Sequence, residues 1–256
     1  MKKICMVICI LIALGLVGCI GPIGPHGARG PDGKDGKDGQ GMRGDIELLE
    51  ANVLLLKASY VCNNEAFKTK RAGFDKSIPF RHAAFQNEFN AREEKDYVYA
   101  GLKHDELSIG IVERILEKLI NAASANNLDR DVAKKLLVAL KNSAQYVNEV
   151  INLFLSGTGL AKFHEHNESI ITELNIMVMN IFRQRESVLD DLKKALRNAE
   201  SSLMPLNVVD IRDKLNVIIQ NQGRIYKKIY TGDDSLQGLR DAITRKINEL
   251  KRALVP

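Results

Sequence analysis

The sequence predicts an all-α protein, a bundle of about six to seven mostly antiparallel helices. Apolar residues recur three and four positions apart through long segments, the spacing of one helix face. No segment alternates apolar and polar residues as a half-buried strand does. Breaks rich in Gly, Asn, Asp and Pro separate the periodic segments, and short connections make successive helices antiparallel neighbours.

The first periodic segment is DIELLEANVLLLKASY, with Ile46, Leu49, Val53, Leu56 and Tyr60 on one face. It reads either as two heptads of a coiled-coil seam or as the first helix of the bundle. Val61 to Arg81 is polar, contains Gly73 and Pro79, and reads as a linker or irregular wrap. FRHAAFQNEFNAREEKDYVYAGL gives one or two short helices ending near Gly101. Asp105 caps the next helix, which carries Ile109, Ile111, Ile115, Leu116 and Leu119 and stops at Asn126 and Asn127. Asp129 or Asn127 then caps a long helix to Ser156, striped by Leu140, Ala144, Val147, Ile151 and Phe154 and ended by Gly157. Asn167 caps a helix running to about residue 203 before Pro205. Its middle, Ile176 to Phe182, is apolar nearly all round, which places it at the centre. VVDIRDKLNVIIQNQGRIYKKIY reads as one helix with Ile211, Leu215, Ile218, Ile225 and Ile229, ended by Gly232. Asp233 or Asp234 caps the last helix, where Leu236, Leu239, Ile243, Ile247, Leu250 and Leu254 align.

The front end has a different character. Lys2 and Lys3 precede a run of 14 apolar and small residues, Ile4 to Val17. That length suits a signal sequence and falls short of the ~20 residues a membrane span needs. The run ends Leu16-Val17-Gly18-Cys19, which resembles a bacterial lipoprotein box. Residues 1–18 are expected to be removed and Cys19 to be the lipid attachment site, tying the chain to a membrane leaflet. Cys5 and Cys9 leave with the signal, so Cys62 is the one thiol that remains, and an internal disulfide is excluded.

Behind Cys19, glycine falls at 21, 24, 27, 30, 33, 36 and 39, the rhythm of collagen. Proline occupies the X position at 22, 25 and 31 and never the Y position, and the frame slips at Met42. Residues 19–45 read as a hydrated, extended tether, with a short triple helix as the alternative. In polyproline II form, Ile20 to Gly44 would reach roughly 75 Å. Arg43-Gly44-Asp45 spells the tripeptide read by many integrins and lies in this stretch. The domain reading is a signal peptide over 1–18, a tether over 19–45, a short amphipathic helix and linker over 46–84, and a helical head over 85–256.

The net charge of the chain is +5, and loss of Lys2 and Lys3 leaves +3. With charges of both signs interleaved and Trp absent, nothing draws the protein to nucleic acid. There is no phosphate loop, dinucleotide fingerprint, HExxH, CxxC or nucleophile elbow, so no enzyme and no cofactor is expected. His164, Glu165, His166 and Glu168 alternate before a helix start. They read as a solvated loop with helix-start carboxylates, and a zinc site is the alternative. Of the basic clusters, Arg245-Lys246 with Lys251-Arg252 offers the best surface for an acidic partner.

REEKDYVYAGLKHDEL, then IVERILEKLINAA, LLVALKNSAQYVNEVINLFLS and the basic final helix, resemble the head of one spirochaete lipoprotein family. It is the paralogous Borrelia family that includes the complement-regulator-acquiring surface protein. The resemblance covers roughly residues 85–254 and is a pattern of helices with loosely similar phrases. It implies a surface-exposed helical protein on the outer membrane that binds a host serum protein, with complement components or regulators foremost. It assigns no ligand residues on the head, and the collagen-like tract departs from the family's tethers. The alternatives are an adhesin for host matrix or integrin acting through Arg43, Gly44 and Asp45, and a trimeric stalk. A homodimer or trimer is compatible with the seam over residues 46–60.

Overall fold

The structure, a computed structural model, describes residues 38–253 except 62–63, 86–87, 122–124, 156–167 and 205. Every regular element among the described residues is helical. The α-helices are α1 (Asp38–Tyr60), α2 (Glu65–Ser77), α3 (Arg92–Ala100), α4 (Glu106–Asn121), α5 (Asn127–Leu155), α6 (Glu168–Glu200), α7 (Val208–Ile219), α8 (Arg224–Tyr230) and α9 (Leu236–Ala253). A 3-10 turn, Ala83–Phe85, precedes α3. The all-α bundle is present, in more and shorter pieces than the six or seven expected.

Two long helices organise it. On α6 the buried stripe runs Ile171, Leu174, Val178, Ile181, Val188, Leu192, Leu196. Ile176, expected inside a helix apolar all round, is 57% exposed, so α6 is central but keeps a solvent face. Helices α7, α8 and α9 form one broken column descending α6: Arg224 and Lys228 both reach Asp191 at 2.8 Å, and Lys246 reaches Glu173 at 2.6 Å. The same column runs alongside α5 in the same direction. Arg212 pairs with Asp129 (3.1 Å), Asn142 donates to the Tyr230 hydroxyl (3.1 Å), and the Tyr146 hydroxyl donates to Gln237 (3.4 Å). Hence α5 and α6 are antiparallel, as expected for neighbours in sequence. Helices α1 and α4 instead run parallel to α6. Asp45 meets Thr172 and Ser59 meets Arg185, while Asp105 meets Lys193 and Arg114 meets Glu200.

The column breaks where its glycine sits. VVDIRDKLNVIIQNQGRIYKKIY is two helices, because Gly223 lies so close to the Asn216 and Val217 carbonyls that a Cβ would collide with them. The caps also differ from expectation in two places. Asn126 caps α5, accepting from the Asp129 backbone N–H (3.0 Å), and Asp129 returns the bond to the Asn126 N–H (2.9 Å). Ser235, not Asp233 or Asp234, caps α9 by accepting from the Gly238 N–H (3.0 Å). Asp105 caps α4 as read, accepting from Ser108. Asn167, His164 and His166 lie outside the described residues, and so does Cys62.

The front of the head differs most. The main core runs from Ile46 to Leu250, beside a small cluster of Tyr97, Ala100 and Ala144, and residues 38–253 belong to one compact unit, so no domain boundary falls at residue 85. The stretch 61–81 is not a linker: it holds α2, capped by Asn64, which accepts from the Phe67 N–H at 3.1 Å. Phe67, Ile78 and Phe80 are buried, and the rings of Phe67, Phe80, Phe85, Phe89 and Tyr99 pack with centroids 5.1–5.9 Å apart. Helix α1 starts at Asp38, inside the stretch read as tether, and takes in Gly39, Gly41 and Gly44. Each glycine disfavours the helix by about 1 kcal/mol relative to alanine. Asp45 offsets this from the far side: its carboxylate accepts from the Thr172 hydroxyl (3.0 Å) and its carbonyl from Asn175 (2.9 Å). Ile46, Leu49, Val53 and Leu56 are 0–2% exposed against the bundle. The two-heptad stripe is thus spent inside the molecule. No described helix is long and apolar enough to cross a membrane.

Candidate functional site

Among the described residues a cleft of about 630 Å³ opens on the flank of the bundle. Four elements build it. Helix α1 ends there with Tyr60 and Val61, and α2 contributes Phe67, Lys68 and Arg71. Arg92, Glu93, Asp96, Tyr97 and Ala100 come from α3, and Asn148 comes from α5. His104 closes one end, in the turn between α3 and α4.

This turn is tight for a reason readable in the packing. Gly101 presses on α5 so closely that a Cβ would meet the Leu140 carbonyl. The chain then reverses through Lys103 and His104, both with positive φ (55° and 56°). Asn64 clamps the reversal by donating to the His104 carbonyl at 2.9 Å. The His104 ring lies 5.1 Å from that of Phe67.

The charges in the cleft are mostly engaged. Arg71 pairs with Asp96 and approaches Asp75 at 3.6 Å, and Asp75 accepts from the Tyr99 hydroxyl at 2.8 Å. The Tyr97 hydroxyl donates to Glu93 (2.6 Å) and accepts from Asn148 (3.1 Å). Burial, then the Glu93 hydrogen bond, push Tyr97 up to about 12. Burial also raises Asp96 above the usual carboxylate range, against Arg71 and Arg92. Lys68 bonds Glu65 at 2.7 Å. Arg92 is exposed and forms no ion pair among the described residues.

Beneath this wall sits Arg185 on α6, 4% exposed. Its guanidinium donates to the Ser59 carbonyl (3.2 Å) and the Ala100 carbonyl (3.3 Å), and lies 5.5 Å from the Tyr60 ring centre. Its Nε has no hydrogen-bond partner, and no described carboxylate pairs with it. The adjoining Glu186 turns to Lys103 at 3.4 Å. The His104 Nδ1 is likewise buried without a partner. Burial, then Arg185 and Arg71, lower His104 to about 4, so it is neutral at pH 7. The arrangement can bind and orient a ligand. It pairs no nucleophile with His104 through that nitrogen.

Comparison with protein-family models, with curated proteins and with solved structures found no match.

The residues singled out in the sequence fall elsewhere. Arg43, Gly44 and Asp45 are turns of α1, not an extended loop, and the Asp45 carboxylate is taken by Thr172. Cys19 and the His164–Glu165–His166 run lie outside the described residues, and the Glu168 backbone begins α6. Among the described residues no three His, Cys, Asp or Glu are grouped to hold a metal. Of the basic clusters, Lys70 pairs with Glu106 (2.6 Å) and Lys246 with Glu173. Sequence reasoning missed Arg185, although a signal existed. It occupies the buried register of α6, between Ile181 and Val188 at spacings of four and three.

Proposed function

We propose that this chain is a lipid-anchored protein of the bacterial outer surface whose helical head binds a host serum protein, a complement component or regulator foremost. Cys19 is its lipid attachment site and the glycine-rich stretch its spacer. The observation that carries the binding role is the flank cleft: an aromatic wall with a charged rim, held on a rigid framework of four elements. Complement enters through the likeness of residues 85–254 to the spirochaete lipoprotein family.

The integrin reading is less well supported, because the tripeptide is helical and Asp45 is engaged. The trimeric stalk loses its seam to the interior of the head.

The test is a paired serum pull-down with mass-spectrometric identification, using baits spanning 20–256 and 38–256. The reading expects one serum protein captured saturably and equally by both. Capture by the longer bait alone would move recognition to the glycine tract, and no saturable capture by either would overturn the reading.

A further inference from the structure

We propose that the outward face of α1 is a self-association surface, which pairs two-fold with the same face of a second copy of this chain. This goes beyond the binding reading above and does not rest on it.

The inference starts from a helix with two apolar faces. The inner one, Ile46, Leu49, Val53 and Leu56, is covered by the bundle. The outer one carries Leu48 (51% exposed), Leu54 (59%) and Val61 (44%), with Ala51 and Ala58 exposed between them and Leu55 half-buried beside them. The helical path reaches Val61, whose N–H donates to the Lys57 carbonyl at 3.0 Å. Ile176 of α6, also exposed, extends the strip. It lies one turn beyond Thr172, which Asp45 holds, and Leu48 lies one turn beyond Asp45 on the parallel helix. Isolated exposed apolar side chains are ordinary, but a continuous strip of them marks a contact surface. Farther along α6 the solvent face is charged instead, with Arg183, Asp190, Lys194 and Arg197 exposed.

Spacing and charge select the occupant. Glu47, Ala51, Leu54, Ala58 and Val61 follow one another at four, three, four and three residues, which is a heptad seam and fits another helix. The small alanines on it let two helix backbones approach closely. Glu50 and Lys57 flank one edge of the strip, seven residues apart, and neither forms an ion pair among the described residues. With two copies antiparallel, Ala51 of one meets Leu54 of the other and Glu47 meets Ala58. That register sets Glu50 of each copy opposite Lys57 of the other, twice by symmetry. Parallel copies would set Glu47 against Glu47 and Glu50 against Leu55, leaving the charges unmatched. The face is thus complementary to itself in one orientation, while Glu47 and Glu50 disfavour an anionic lipid surface. Four turns of one helix make a small contact, below the ~1,200 Å² under which complexes are weak. The dissociation constant is expected on the order of 100 µM, so at micromolar concentration the heads unfold as monomers.

The experiment is analytical ultracentrifugation of the chain 20–256, unlipidated and at low salt, with the concentration raised to about 1 mM. A monomer–dimer equilibrium is expected. Leu54→Glu should weaken it by about tenfold or more, and Glu50→Lys by about threefold or more, because it sets like charges together at both symmetric contacts. Exchanging the pair, Glu50→Lys with Lys57→Glu, should restore the wild-type constant, since both contacts reverse and stay complementary. Leu54, Glu50 and Lys57 are exposed, so each variant is expected to keep the wild-type melt at micromolar concentration. Should Leu54→Glu fail to fold, Glu50→Lys and the exchanged pair carry the test. A chain that stays monomeric to about 1 mM would overturn the proposal. So would a dimer or trimer that Leu54→Glu and Glu50→Lys leave unchanged, which would assign association to the glycine tract or to another face. An exchanged pair no better than Glu50→Lys alone would overturn the antiparallel register.

Discussion

Two glycines in this protein have opposite meanings, and the difference lies in what surrounds them. A Cβ on Gly44 would meet nothing within 4 Å, and the residue is in the interior of α1. Gly44→Ala should therefore stabilise the fold by about 0.5–1 kcal/mol, read as a higher urea midpoint. A Cβ on Gly101 would strike the Leu140 carbonyl, so Gly101→Ala should destabilise by about 2–3 kcal/mol in the same assay. His104 makes a second prediction. It is neutral in the fold down to about 4, because burial, Arg185 and Arg71 oppose its charge, while the unfolded side chain protonates near 6.5. Between these values the unfolded chain holds the extra proton, so stability falls as pH drops through that window, by up to ~1.4 kcal/mol per unit. Stability measured from pH 7 to 4 should show a shallower slope in His104→Asn than in the wild type. Equal slopes would remove His104 as the cause.

At the scale of elements, helix α2 shows how little local signal an element needs to be held in place. Helix α2 has 13 residues and only two aromatic anchors, Phe67 and Phe74, of which Phe67 is buried. Its place is set by partners far along the chain, Tyr99 and His104. Helix α1 carried a clear stripe, but a stripe says only that one face is covered, not by what. Because Leu49 and Leu56 are fully buried within the molecule, Leu56→Ala should lower stability by about 2–5 kcal/mol. Its unfolding midpoint should not vary with chain concentration. A concentration-dependent midpoint would show the stripe to be shared between chains.

For the whole molecule, the consequence is a single folding unit. The core extends without interruption from Ile46 to Leu250, and the ring cluster around Tyr99 draws Phe67, Phe80 and Phe85 into it. A chain beginning at residue 85 would lose α1 and α2 and uncover the long helices they pack on. It is expected to melt without a cooperative transition, whereas a chain from residue 38 melts in one step. A cooperative, native-like melt of the shorter chain would restore a boundary near residue 85.

The helical class, the stripes of α4, α5, α6 and α9, and the cap at Asp105 were all legible in the order of residues. They depend on periodicity and on side chains reaching a few positions along their own helix. The break at Gly223 and the helix at 65–77 were not, because each is decided by atoms brought close in space; the cap at Ser235 is local, three residues from its donor Gly238, and lay within reach of the sequence. Gly223 looks like any helical glycine until the Asn216 and Val217 carbonyls arrive beside it. The candidate site was the least legible part. Its residues come from positions 60, 67–71, 92–104, 148 and 185, with no motif spacing to join them. Arg185 stood in the buried register of α6, a signal that the position is covered but not of what covers it. Packing of α1 and α3 over α6 removes its water, and that desolvation turns an ordinary helix residue into the charge beneath the cleft.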